Sequence, residues 1–355
     1  MDGYNWDIPN YFTGSSDEDF WDNFTLEEPL EPKRVREVIR DYNVINAAQQ
    51  WERRIFFKIL DAAIMFMSIP DGYKGTGRPS IPLQEKLKIC CIKQYNMRGA
   101  RRSVYDVETA RNNGYLFVPK ISNNYFNRIN DYMKDEELTP YLQQLIHVLS
   151  EPYAGLEKNF AVDGSGMKTS YGKYSYRYIR KDKKEKRKYI GLHLITGVNS
   201  KIVPYAIVSK GYKHDNNFFK PLVRETLKLF EIKEIYGDSA FFDDSNQKFC
   251  HAHGIKEYIK PKKNTILHKF GKEIWNNSID RYMKDLHLGE NRRYTLRNNV
   301  ESCFFMVKSV FLDFLRHKTF SGRVNEALTR VACHNIRVLV YGYFKKEIKF
   351  PFGDV

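Results

Sequence analysis

Tyr294, Arg297, Glu301 and Lys308 follow one another at separations of three, four and seven residues. At about 100° per residue, a helix gathers side chains so spaced within roughly 60° of arc. The apolar residues Val300, Phe304, Val307 and Phe314 mark a neighbouring face turned to a core. The polar stripe is therefore predicted at the rim of that core, half sheltered. A carboxylate in such a place suits a metal ion, and the cations beside it suit phosphate. The plain alternative is a solvated helix face on which Arg297 and Glu301 form an ordinary ion pair.

Two upstream aspartates bear on that choice. Asp163 closes the short apolar run 159–163, and Asp238 closes the run 232–238; both runs read as strands. Gly164 and Gly166 follow the first acid, and Gly237 and Ser239 flank the second. Small neighbours let the backbone turn and leave room for a ligand. If the two strands are adjacent, two carboxylates meet at one edge of a sheet, and Glu301 reaches that edge from its helix. Three carboxylates brought together repel one another unless cations neutralise them. Oxygen-only ligands favour Mg2+ or Mn2+ over zinc. Two such ions about 4 Å apart activate a water or a 3′-hydroxyl and stabilise the leaving oxygen in phosphoryl transfer. A single Asp at a strand end is ordinarily a turn former or a helix cap. Three acids in strand-end, strand-end and helix positions point instead to a site.

The elements that must position these residues can be read from the rest of the chain. It has 355 residues, a formal charge of +15 and 15% aromatic residues. Length predicts two or three domains; basic charge with many aromatics favours a polyanionic partner, most simply nucleic acid. A basic ribosomal or membrane-surface protein is the bland alternative, and the even spread of apolar segments argues against it. The five cysteines form no CxxC pair, so reduced thiols are expected. The most apolar stretch, 55–69, is interrupted by Lys58 and Asp61 and is too short and charged to span a membrane.

Residues 1–32 hold nine Asp and Glu and no Lys or Arg, and read as an acidic mobile arm. Helices are predicted over 33–70, 83–97, 101–112 and 123–134, the last capped by Ser122, with another starting at Thr139-Pro140. A helix-turn-helix-like module between about 80 and 135 is plausible by this reading. The polar face of its last helix carries Asn123, Asn124, Asn127, Arg128 and Asn130, with Arg98, Arg101 and Arg102 just upstream. The alternative is a helical packing domain with a wet face. From 159 the order is β, β-hairpin about Gly197-Val198-Asn199-Ser200, α, β, α, β, then the Glu301 helix, which predicts a mixed sheet flanked by helices. Within 168–213 stand 13 Lys and Arg against Asp182 and Glu185. The densest part includes Lys183, Lys184, Lys186 and Arg187, preceded by four tyrosines. Tyr alternating with cations suits backbone contact and stacking on nucleic acid; a solubilising surface hairpin is the alternative.

The runs AVDGSGMKTS and YGDSAFFDD, with Tyr294-x2-Arg297-x3-Glu301-x6-Lys308, resemble the DDE transposases of bacterial and archaeal insertion sequences. One large group of these carries the last motif as its signature. The resemblance covers about 155–345. It implies an α/β ribonuclease H-like domain of the retroviral integrase superfamily, behind a helical DNA-binding region at 33–150. It places the acidic triad on Asp163, Asp238 and Glu301, holding two Mg2+ or Mn2+ ions, and the grip on the transposon end on Tyr294, Arg297 and Lys308. Some relatives insert a large β-rich domain between the second acid and the Glu. Here 62 residues separate Asp238 from Glu301, and 260–293 reads as a short, polar helical insert. The activity implied is cut-and-paste transposition. The partners implied are double-stranded DNA, as transposon ends and target, and a second copy of the chain in a synaptic homodimer. The place implied is the cytoplasm of a prokaryote, at the nucleoid. A domesticated DNA-binding protein without catalysis and a metal-dependent nuclease that cuts without joining are the rivals.

Overall fold

One long strand carries the architecture. β1 (Asn159–Thr169) lies at the centre of a sheet, with β2 (Tyr189–Gly197) and β3 (Tyr205–Lys210) on one side and β4 (Glu234–Gly237) and β5 (Lys256–Ile259) on the other. The two-residue β6 (Phe314–Leu315) pairs with the far end of β1. The order β3-β2-β1-β4-β5 combines an antiparallel half, β1 to β3, with a parallel half, β1 to β5. This is the ribonuclease H-like mixed sheet that the resemblance implies. β2 is buried at every position but Tyr189, which explains its near-continuous apolar sequence: strands covered on both faces do not alternate.

The computed structural model describes residues 42–70, 81–122, 124–169, 189–211, 213–263, 265–268, 271–288 and 292–349. The acidic run 1–32, Asn123, and the basic run with Lys183, Lys184, Lys186 and Arg187 lie outside the described residues. The chain divides into two units, Met1–Tyr42 and Asn43–Val355, and the elements below build the second.

β1 departs from expectation. It does not stop at Asp163 but runs six residues further, to Thr169. Gly164 and Gly166 read as a stop because glycine weakens a strand, yet Gly164 marks a close approach. A Cβ there would stand 2.3 Å from Asp215 Oδ1 and 2.8 Å from His193 Nδ1. Side chains alternate along the strand, so Asp163 and Ser165 share one face. α9 (Asn298–Phe311) reaches that face through Lys308, whose Nζ donates to Ser165 Oγ. Gly164 faces the other way with its cross-strand partner His193, whose ring stacks on Phe218 of α6 (Asn216–Leu227).

The N-terminal helices are α1 (Tyr42–Met65), α2 (Leu83–Tyr95), α3 (Ala100–Asn112), α4 (Tyr125–Lys134) and α5 (Leu138–Ser150). Ser122 is not the cap of α4: Asn124 holds the N-cap position without a side-chain bond, and Ser122 contributes its carbonyl to Tyr125 N–H at 2.9 Å. α7 (Asp244–Ala252) and α8 (Glu273–Leu286) follow β4 and β5. The last helix, α10 (Phe320–Phe344), is buried nearly all round and packs on α2, α4, α5 and β3, the signature of a helix inside a core. Its polar residues are matched: Asn335 exchanges hydrogen bonds with Val203 N–H and C=O at 3.0 and 2.7 Å. Among the described residues no helix is long and apolar enough to cross a membrane.

Candidate functional site

The parallel pairing of β1 with β4 ends at Val162 opposite Gly237. The next residue on each strand is an aspartate, so Asp163 and Asp238 meet where the two chains part. Asp238 opens the 3-10 turn Ser239–Phe241 and accepts the Ala240 N–H at 2.8 Å. Asp163 is partly sheltered, with its side chain 18% exposed. Burial, above all, pushes its carboxyl up to about 6; the Gly164 N–H and Arg297 pull it down, while the charges of Asp238 and Asp215 push it further up.

The four signature residues straddle two elements rather than lying on one helix. Tyr294 and Arg297 belong to the 3-10 turn Arg293–Arg297, and Glu301 and Lys308 to α9. The turn is fixed from the insert. Asp285 of α8, buried, accepts the N–H groups of Arg293 and Tyr294 at 2.7 and 2.9 Å, and Tyr282 sets its ring edge-on to Tyr294 at 5.3 Å. Val300, Phe304 and Val307 are buried as expected, whereas Phe314 lies past the helix in β6.

Arg297 joins the two halves of the site. Its Nη2 donates to Glu301 Oε1 at 2.6 Å, and its Nη1 stands 3.7 Å from Asp163 Oδ2. Its Nε is buried without a hydrogen-bond partner. A guanidinium thus lies between the carboxylates of β1 and α9. Among the described residues no three His, Cys, Asp or Glu lie close enough to hold one metal ion between them. The donor set nonetheless suits a hard divalent cation, since all three candidate side chains offer carboxylate oxygens. Lys308 does not approach the acids. Its Nζ donates to Ser165 Oγ at 2.6 Å and Gly166 O at 3.1 Å, pinning α9 to β1.

Two residues went unforeseen. His193, 2% exposed, bonds Ser209 Oγ through Nε2 at 2.8 Å and faces Asp215 Oδ1 from Nδ1 at 3.1 Å. Asp215 is, after Asp238, the second carboxylate whose charge acts on Asp163. The available signal was a lone histidine in the apolar run YIGLHLIT. Of the N-terminal candidates, Asn124 and Arg128 are exposed on α4, with the Arg128 guanidinium 5.9 Å over the Tyr125 ring.

A ribonuclease H-like sheet with aspartates emerging side by side from its first and fourth strands defines a class of nucleic-acid-processing enzymes. The profile of the family described as "Transposase DDE domain" matches residues 155–336, more than half the chain. The chain belongs to that family and is by class a DNA transposase. Among solved structures it is similar to the cryo-EM structure of a piggyBac transposase synaptic complex with hairpin DNA. The two are 13% identical over 89% of this chain and 78% of that one, at a TM-score of 0.42, too remote to bear on function. No curated protein matches the chain.

Proposed function

We propose that this chain is the cut-and-paste transposase of a prokaryotic insertion sequence, binding its terminal inverted repeats, cleaving there, and joining the freed 3′-hydroxyl to target DNA. The observation that supports it most is the emergence of Asp163 and Asp238 from adjacent parallel strands, with Glu301 one guanidinium away. The three carboxylates would hold Mg2+ or Mn2+, two ions by the chemistry of the class. Bound there, such ions activate the attacking oxygen and offset charge on the leaving one.

The chain's own residues would divide the remaining tasks. Arg297, which offsets the acids in their absence, would turn its fork to a phosphate of the DNA end. Tyr294, held by α8, would line the same end. Lys308 would keep α9 in register with β1 and offer its remaining N–H to phosphate. Lys183, Lys184, Lys186 and Arg187 would add sequence-independent backbone contacts, and Asn124 and Arg128 would face the repeat. Two ends must be handled together, so the working form would be a homodimer.

Labelled duplexes carrying the DNA that borders the gene, incubated with Mg2+, test this reading. Wild type should cut and join. Asp163→Asn, Asp238→Asn and Glu301→Gln should each lower both at least about 100-fold and leave binding nearly intact, since each removes a ligand charge with little change of shape. A wild-type rate in any of them removes that residue from the site. Cutting without joining would identify a nuclease, and binding without cutting a domesticated protein. Arg297→Lys keeps the charge and loses the fork; normal transposition by that variant would reduce Arg297 to an ion-pair partner of Glu301.

A further inference from the structure

A groove of about 760 Å³ opens far from the acids, where the turn between α2 and α3, one side of α4 and the segment after β6 converge. Its rim carries Arg98, Arg101, Arg102, Lys134, Arg316 and Lys318, its floor carries Lys93 and His317, and among the described residues no Asp or Glu lines it. Some of this charge is already matched: Arg98 faces the buried Asp106 at 3.3 Å, and Lys134 faces Asp131 at 3.0 Å. Basic side chains still outnumber acidic ones along the lining. Lys93, 3% exposed, has its ammonium 3.3 Å from His317 Nε2. Burial first, and then the Lys93 charge, push the His317 ring down to about 4.

Hydrogen bonds tie the elements of the groove together. The Glu326 carboxylate accepts the N–H groups of Arg316 and His317 at 2.8 and 3.1 Å, and Arg316 Nη1 donates to Met97 O at 3.2 Å. α3 begins on its wall at Gly99, whose N-cap position carries no side-chain bond. The positive end of a 13-residue helix is therefore added to the side-chain charges. Arg101 spreads its guanidinium 5.1 Å over the Phe126 ring, which holds it extended at the rim.

β1 connects this groove to the acids. Thr169 pairs with Leu315, and Arg316 follows. From Asp163 to Thr169 is six residues, or about 20 Å along a strand. The same length of duplex spans about six base pairs.

We propose that this groove holds backbone phosphates of duplex DNA, about six base pairs from the phosphate that lies against Asp163 and Asp238. The placement rests on the transposase reading; the binding of duplex phosphates does not. The groove lies on the opposite side of α4's sequence register from Asn124 and Arg128, using Phe126, Asn130 and Lys134 instead. It accounts for Arg101 and Arg102, to which neither the fold nor the acidic site assigns a task.

The test uses the full chain and a fluorescein-labelled 25-base-pair duplex of random sequence, since phosphate contacts do not depend on sequence. The variant Arg101→Gln/Arg102→Gln/Lys318→Gln should bind about tenfold more weakly at moderate salt. Its slope of log affinity against log salt should be shallower by about two to three. Unchanged affinity and slope in a variant that melts like wild type would overturn the groove. For the placement, all five native cysteines are buried, so Arg102→Cys supplies the one exposed thiol. Blunt duplexes carrying a mixed-disulfide tether on the phosphate at successive positions should cross-link to that thiol by exchange, releasing the small thiol, best about five to eight base pairs from the end, with Ca2+ present. A flat profile, or a maximum at the terminal base pair, would overturn the placement. If wild type cuts no DNA yet the triple variant loses affinity, the transposase reading fails and the groove stands.

Discussion

Among the described residues an Arg–Glu pair four positions apart occurs twice. Glu326 and Arg330 stand four residues apart on α10, with Nη2 2.7 Å from Oε1; Arg297 and Glu301 stand four apart where α9 begins, at 2.6 Å. The first pair is 1% exposed on both sides, and its remaining groups are matched. Glu326 Oε2 takes two backbone N–H groups, and Arg330 donates to Leu312 O and Phe314 O at 2.9 Å each. It ties α10 to the segment around β6. The second pair is 20% and 54% exposed, leaves Arg297 Nε unpartnered, and shares its cation with Asp163. Order differs as well: Glu ahead of Arg accords with the helix dipole, whereas Arg297 stands at the positive end of α9. A charged pair is structural where every proton and lone pair is matched, and open to a ligand where they are not.

The largest expected effect follows from removing the two arginines. Arg330→Met strands Glu326 in the core and should cost about 3–5 kcal/mol. Arg297→Met leaves a half-solvated Glu301 and should cost less than about 1 kcal/mol. Urea unfolding at pH 7 measures both. Equal losses would break the comparison.

A second effect sharpens it on the acid between them. The Asp163 carboxyl stands at about 6 when folded, against an ordinary 3.8. Well below pH 3.8 it is protonated in both states and costs nothing. Between pH 4 and 6 the unfolded chain ionises first, so stability falls as pH rises. Above pH 6 the loss is complete, about 2–3 kcal/mol. Asp163→Asn can still accept the Gly164 N–H. It should therefore equal wild type at pH 4 and exceed it by about 2 kcal/mol at pH 8. Mg2+ at pH 8 should narrow that gap by stabilising wild type alone. Parallel stability curves from pH 4 to 8 would show that the site stores no such cost.

The sheet was legible because its information is local: β-branched runs, a Gly-Val-Asn-Ser turn and small residues around two acids. What stayed hidden depends on which elements face one another. Gly164 looks like a strand end until Asp215 is seen filling the space of its absent side chain. Tyr294 to Lys308 looks like one helix because a 3-10 turn and an α-helix begin alike. Only Asp285, from the insert before it, shows why the first turn is tight. Arg297 beside Glu301 was readable from their spacing of four, but its reach to Asp163 was not, since that needs the register of β1 against α9.

Lys308 falls between the two pairs and carries the smallest effect. Like Arg330 it binds backbone, donating to Gly166 O as well as Ser165 Oγ; like Arg297 it reaches β1, through the residue two beyond Asp163. Burial lowers its pKa while Asp313 partly restores it. An ammonium has three N–H donors, and two are used on β1. Lys308→Met keeps an apolar stem but loses both bonds and the ammonium over the Phe304 ring, which should cost about 1 kcal/mol. If the third donor serves phosphate, the salt slope for DNA-end binding should fall by about one in the same variant. A loss of stability with an unchanged slope would place Lys308 wholly with Arg330, as a tie between α9 and β1. A changed slope at full stability would place it with Arg297. The geometry predicts both losses together, because the two bonds to β1 are what aim the remaining one.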